Sequence, residues 1–246
     1  MIKPMKYGHL SKLILVFCCI GLSLNGCGNQ NSLIEPEPVI HGTVAFWHFD
    51  ETSGSTAIDS SGNGFDGTIY GAPRFTGKVG QALQFGSSGS RVEVPALENV
   101  FQFQEITLDA WLNPTTLTPG AIYQIIGDGA GGLQFFKFQL NNGKCELLLS
   151  DGWNYQSIIT SNASLATNTW FYVAITFDGG VARLYINGVE DNSSAIPFPI
   201  GIVYNRLYIG ALESSNLFPG IIDELRISNV IFSPAEILVY YQQTNI

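Results

Sequence analysis

The segment Ile221-Ile222-Asp223-Glu224-Leu225-Arg226-Ile227-Ser228 puts an acid where strand alternation places apolar side chains. With a period of two, Asp223 shares a face with Ile221, Leu225 and Ile227, while Glu224, Arg226 and Ser228 take the other. Burying an ionised carboxylate without company is strongly unfavourable, so Asp223 must accept hydrogen bonds, pair with a cation or ligate a metal. Asp50 raises the same question on the face of Val44, Phe46 and His48. Between Asp50 and Gly67, the side chains of Asp59, Ser60, Ser61, Asn63 and Asp66 offer oxygens in glycine-permitted turns. That donor set suits a hard cation such as calcium, which takes about six to eight oxygens. The spacing is not that of an EF-hand, and a second reading stays open. In it, Asp59 and Asn63 cap their own turns and Asp223 accepts loop N–H groups.

A second constellation is Ser150-Asp151-Gly152-Trp153-Asn154-Tyr155-Gln156, which combines aromatic rings with amide and carboxylate groups in one short loop. Sugar recognition needs such a platform, so Trp153, Asn154 and Tyr155 are the candidate ligand contacts. Tyr123, Asn141, Asn142, Tyr204 and Phe218 are of the same kind. Trp47, Trp111 and Trp170 fall inside strand patterns and read as core. Nucleophilic chemistry has little support. His9, His41 and His48 form no sequence pair with a serine or cysteine motif, and Cys145 has no neighbouring histidine.

The elements that carry these residues read as strands. Apolar residues alternate in short runs, broken by Gly, Pro, Asn and Asp, which is the pattern of an antiparallel sandwich or jelly roll. Runs are legible at 43–49, 81–85, 91–94, 106–113, 123–126, 133–140, 144–150, 156–160, 170–177, 182–186, 206–210 and 221–228. Asn141-Asn142-Gly143, Asp178-Gly179-Gly180 and Asn187-Gly188 supply the positive-φ residues of tight hairpin turns. Ser233-Pro234-Ala235-Glu236 is a capping box with proline in the first turn, which predicts one short helical turn at the C-terminus.

The N-terminus is a separate object. Lys3, Lys6 and Lys12 precede an apolar run from Leu13 to Leu24, the layout of a secretory signal over residues 1–26. The run ends in Leu24-Asn25-Gly26-Cys27, which resembles the bacterial lipoprotein box and implies lipidation of Cys27 after cleavage. Residues 27–41 then read as a flexible, Pro-containing tether, and 42–246 as one domain. Gly28, where inner-membrane retention favours Asp, points to the outer membrane in a Gram-negative cell. The leader holds 3 of the 11 basic residues and none of the 20 acidic ones, so the mature chain is strongly acidic. Nucleic acid and anionic lipid surfaces are therefore excluded as partners, and the lipid anchor is the one expected membrane contact. Of 4 cysteines, Cys145 alone lies in the domain, so no internal disulfide forms.

Three stretches together resemble a known family. They are Phe46-Trp47-His48-Phe49-Asp50-Glu51 running into Asp59-Ser60-Ser61-Gly62-Asn63-Gly64-Phe65-Asp66-Gly67, the hairpin from Asp178 to Gly188, and Gly220 to Ser228. Their order is similar to that of the concanavalin A-like, laminin-G-type jelly rolls. The resemblance implies an all-β, two-sheet antiparallel sandwich and a structural calcium held by Asp59, Asn63 and Asp223. It also implies a binding module and leaves the ligand open; with the 150–156 loop, the reading is a non-catalytic module for an extracellular glycan. Endoglucanases of the group carry Glu-x-Asp-x-x-Glu on the active strand, and no such string occurs here. The alternatives are a protein-binding adhesive or structural envelope module and, on the same fold, a glycoside hydrolase.

Overall fold

The computed structural model describes residues 41–95, 105–128, 136–150, 154–197 and 206–245. The signal, Cys27, nearly all of the tether, Trp153 and Tyr204 lie outside the described residues. In chain order the first strands are β1 (Thr43–Trp47), β2 (Thr56–Ala57), β3 (Gly67–Tyr70), β4 (Arg74–Thr76), β5 (Gln81–Gln84), β6 (Arg91–Val94), β7 (Ile106–Pro114) and β8 (Ile122–Asp128). They continue as β9 (Phe136–Asn141), β10 (Lys144–Ser150), β11 (Tyr155–Thr160), β12 (Phe171–Phe177), β13 (Val181–Ile186), β14 (Val189–Ala195), β15 (Leu207–Ile209) and β16 (Gly220–Ser228), followed by the helix α1 (Pro234–Thr244).

The strands form two antiparallel sheets, the two-layer arrangement of a jelly-roll sandwich. The first is ordered β14-β13-β12-β7-β16-β5-β4, with β1 also paired to β16. The second is ordered β11-β10-β9-β8-β15-β6-β3-β2. Between them lies an apolar core that includes Trp47, Phe49, Phe85, Phe136, Phe138, Leu140, Leu147, Ile175, Leu225 and Ile227. Cys145 is buried within it as a free thiol, pushed well above its usual range by burial.

A second apolar cluster lies between the first sheet and α1, built from Phe46, Trp111, Tyr172, Ala174, Tyr185, Phe232, Ile237 and Tyr240. Trp47 and Trp111 are buried as read from sequence, whereas Trp170 is half-buried and packs on the rim of this cluster. The C-terminal element is longer than the single turn expected. Its capping box forms as read, with the Ser233 Oγ accepting from the Glu236 N–H, but the helix runs for 11 residues. Burial of Ile237 and Tyr240 against the sheet carries it past the first turn. Among the described residues, no helix is long and apolar enough to cross a membrane.

Simple alternation fails in β16. One edge bonds β7, while along the other edge Ile221 and Ile222 face β5 and Leu225 to Ser228 face β1. Where the partner changes, the register shifts between Asp223 and Arg226, and Glu224 takes a positive φ of 50°. This bulge resets the faces. Asp223 does not point into the sandwich core with Leu225 and Ile227, and Arg226 does not point to solvent.

Candidate functional site

Two sites of chemistry emerge. The first lies on the outward face of the second sheet. Because Phe136, Phe138, Leu140, Cys145, Leu147 and Leu149 fill the core, alternation turns Lys137, Gln139, Asn141, Glu146, Leu148 and Ser150 outward. Registry then aligns Gln124, Gln139 and Glu146 in one row across β8, β9 and β10. The Glu146 carboxylate accepts from Gln139 Nε2 at 2.8 Å, Asn141 Nδ2 at 3.0 Å and Ser157 Oγ at 2.7 Å. Gln124 donates through Nε2 to the Ala211 carbonyl, and its buried Oε1 has no hydrogen-bond partner.

Four residues further along β10, Tyr155 faces outward opposite Ser150. Its hydroxyl donates to Asp128, and the Lys137 ammonium stands 3.8 Å from its ring centroid. Burial, then the Asp128 carboxylate, pushes the phenol upward, and burial draws the Lys137 ammonium down. The result is a ring held rigidly at both its edge and its face, beside carboxylate and amide groups.

Of the residues read as glycan contacts, Tyr155 therefore stands on this face, Asn154 is exposed just before β11, and Trp153 lies outside the described residues. Phe218 is fully buried and belongs to the core. Asn142 serves the β9–β10 turn and accepts from the Gly120 N–H, and Tyr123 packs on the core. Lys137, Gln139 and Glu146 were not singled out from sequence. Their signal was present in the alternation Lys137-Phe138-Gln139-Leu140-Asn141, but only registry with β10 brings Glu146 to them.

The second site surrounds the β16 bulge. Asp223 is fully buried, and its Oδ2 accepts from the N–H groups of Lys78 at 2.7 Å and Val79 at 2.9 Å, while Oδ1 accepts from Glu224 N–H at 2.8 Å. Its companion is thus the 77–81 turn, not the 59–66 bend expected from sequence. Burial, reinforced by the Glu224 charge, pushes the Asp223 carboxyl up to about 8. Asp50 meets the same turn, accepting from the Gln81 N–H at 2.7 Å. The turn needs its glycines. A Cβ on Gly77 would lie 2.5 Å from Asp223 Oδ2, and one on Gly80, at φ 60°, would collide with Asp50.

Asp59 and Asn63, the other expected cation ligands, bond within their own loop and to β1. Asp59 Oδ1 accepts from the N–H groups of Phe46 and Ser61, and Oδ2 from Ser61 Oγ and Phe65 N–H. Burial opposes ionisation of Asp59, yet these donors prevail and hold its carboxyl below the usual value. Asn63 Nδ2 donates to the Val44 carbonyl at 2.9 Å and to Ser61 Oγ at 3.2 Å. Among the described residues, no three Asp, Glu, His or Cys side chains converge as a metal centre.

Beneath the helix, Arg226 and Asp109 form a fully buried pair, reached also by the Tyr172 hydroxyl. The Arg226 guanidinium lies 4.2 Å from the Tyr240 ring centroid and 4.8 Å from that of Phe232. Beside it, His48 Nδ1 and Glu224 Oε1 are 2.7 Å apart, and the Tyr240 hydroxyl donates to Glu224 Oε2 at 2.8 Å. The hydrogen bond to Glu224 raises the His48 imidazole above its ordinary value, against the opposing effect of burial.

Sheet order, hairpin positions and the outward polar face define a lectin-like jelly roll. The family profile described as the concanavalin A-like lectin/glucanases superfamily matches residues 85–238, and the chain belongs to that superfamily. A comparison with curated protein sequences returns no match. Among solved structures, the chain is similar to domain 4 of AbnA, a GH43 extracellular arabinanase from Geobacillus stearothermophilus, in complex with arabinotriose. The TM-score is 0.66 at 24% identity, covering 81% of this chain and 98% of that one. It is also similar to the botulinum neurotoxin serotype D binding domain, with TM-score 0.68 and 20% identity over 83% of this chain and 52% of that one. The serotype D ligand binding domain in complex with N-acetylneuraminic acid matches at TM-score 0.66 and 19% identity, over 83% and 51%. The chain thus spans about half the length of the neurotoxin domains it matches.

Proposed function

We propose that this protein is a non-catalytic carbohydrate-binding module, displayed outside the cytoplasm on a lipid anchor at Cys27. The observation that carries the reading is the outward face of the second sheet. There Tyr155 is braced by Lys137 and Asp128, on the same face as the buried row of Gln124, Gln139 and Glu146, in which the Gln124 Oε1 has no partner. A rigid ring beside amide and carboxylate groups is what a sugar ring with its hydroxyls requires. Two of the similar structures were solved with bound sugars, arabinotriose in one and N-acetylneuraminic acid in the other. A hydrolytic role gains nothing here. The Glu146 carboxylate is engaged by three internal donors, and Asp128 is engaged by Tyr155. The ligand is an extracellular glycan, and the anchor places the module at the cell envelope, on the outer membrane in a Gram-negative cell.

Calcium has a structural place in this reading. The two carboxylates that meet at the 77–81 turn, Asp50 and Asp223, are the hard oxygens it would take there. Bound there, calcium would neutralise the buried acid and tie β16 to the loop before β5. Binding of the purified protein to a glycan array tests the function, and sugar release from a polysaccharide panel tests the absence of catalysis. Array binding that persists unchanged in Tyr155→Ala and Lys137→Ala would refute the site, and sugar release would refute the non-catalytic assignment. Detergent-phase partitioning lost in Cys27→Ala tests the anchor.

A further inference from the structure

The face of the first sheet that carries α1 holds a cleft of about 420 Å³, lined by Thr43, Phe46, His48, Ser60, Ser61, Glu224, Tyr240 and Thr244. That size falls in the roughly 300–1,000 Å³ range of small-molecule pockets. Its walls come from β1, the bend after Ala57, the β16 bulge and the helix, so four separate parts of the chain build it.

The backbone is strained where this cleft is made. Phe49, beside His48, sits at φ 62°, and Glu224 at φ 50°. Positive φ costs a residue with a side chain roughly 1–2 kcal/mol, and such strain persists where the surroundings over-determine it. Here it brings Glu224, 4% exposed, to His48 and to the Tyr240 hydroxyl. Glu224 is thus the buried member of the pair and His48 the half-exposed one that faces the cleft.

The lining also specifies the occupant. His48 and Glu224 are the ionisable acid and base of the wall, and they are bonded to each other. No unpaired charge is therefore left among the lining residues to hold a phosphate, a carboxylate or an amine. The remaining surface is aromatic carbon from Phe46 and Tyr240 and hydroxyls from Thr43, Ser60, Ser61 and Thr244, of which Ser61 Oγ also bonds Val44 and Asp59, and Thr244 Oγ1 also bonds Trp111 and the Tyr240 carbonyl. The Phe46 and His48 rings lie 3.9 Å apart between centroids and are tilted by 44°, so His48 packs against Phe46 and the two form an angled aromatic corner. Aromatic carbon next to hydroxyls matches a small ligand with an apolar ring face and a hydroxylated edge.

We infer that this cleft is a binding site for a single neutral sugar ring, separate from the outward face of the second sheet. The inference stands on the cleft and does not depend on a glycan binding to the second sheet. It is tested by saturation-transfer NMR on the whole protein with glucose, galactose, arabinose and N-acetylglucosamine, together with the chemical shift of the His48 imidazole. Ser60 is exposed, so Ser60→Trp fills the mouth with little demand on the fold. Saturation transfer to at least one sugar, a moved His48 resonance, loss of both in Ser60→Trp and retention in Tyr155→Ala support the site. An unmoved His48 resonance with every sugar overturns it, whether or not the variant folds. Transfer abolished by Tyr155→Ala and untouched by Ser60→Trp also overturns it, and leaves the second-sheet reading intact.

Discussion

The most exposed step of the account is the state of Asp223. Its carboxyl is held at about 8 rather than 3.8, so between those values the folded protein keeps a proton that the unfolded chain has released. Stability must then fall as pH rises through that window, by about 4 kcal/mol between about pH 5 and about pH 8 in protein stripped of metal. Asp223→Asn removes the titration and keeps one acceptor oxygen, but turns an NH2 group toward the Lys78 or Glu224 donors. One or two lost hydrogen bonds cost it roughly 2 kcal/mol at the acid end. The two unfolding curves, measured by chemical denaturation in chelator, should therefore cross, with the wild type more stable near pH 5 and the variant more stable near pH 8. Using the difference between the proteins cancels the other titrating groups. Calcium at saturation should lift the wild type at the alkaline end, because it binds the ionised acid, and should leave the variant unmoved. Parallel curves in chelator would refute the buried, unneutralised acid, and a wild type indifferent to calcium would refute the cation at this turn.

Other outcomes follow from the same geometry. Arg226→Ala should cost about 3–5 kcal/mol by leaving Asp109 buried and uncompensated, whereas the double change Arg226→Met with Asp109→Leu should cost far less; equal losses in denaturation would contradict this. Ser233→Ala removes the helix cap and should destabilise by about 1 kcal/mol, seen as a lower Tm with a fold otherwise unchanged in circular dichroism. Asp59 titrates below 3.8 in the folded state, so its contribution is whole above that value and is lost as pH falls through the lower folded one. Acid unfolding of Asp59→Asn should accordingly show a shallower limb below about pH 4 than the wild type.

Much of the sheet order was legible because it depends on local signals. Asn142-Gly143 and Asn187-Gly188 adopt the positive φ that tight hairpins demand, and β9, β10 and β13 form where alternation placed them. Three short strands, β2, β3 and β4, carry too few residues for a period to show, and β14 reads Val-Glu-Asp-Asn-Ser-Ser-Ala, with no apolar face. The site was less legible. Asp223 was read as an acid needing company, but the change of partner from β5 to β1 along one strand decides which loop supplies it. Nothing in Ile-Asp-Glu-Leu-Arg-Ile announces a bulge, and without it Glu224 and Arg226 read as solvent-facing. Their burial depends on a helix more than ten residues away by the end of its packing face, through the Tyr240 contacts to both. The Glu146 cluster likewise joins β9, β10 and β11, a registry that only the folded sheet displays.

The central claim is that the outward face of the second sheet binds a glycan, and a glycan array probed in parallel with wild type, Tyr155→Ala and Lys137→Ala tests it most directly. Wild-type protein should bind a defined set of glycans, and binding should weaken about tenfold or more when the stacking ring is removed, in keeping with a loss of about 1.4 kcal/mol. Reduced binding is also expected when its Lys137 brace is lost. Folded variants that retain full binding to the same glycans, or a folded wild type that binds none, would contradict it.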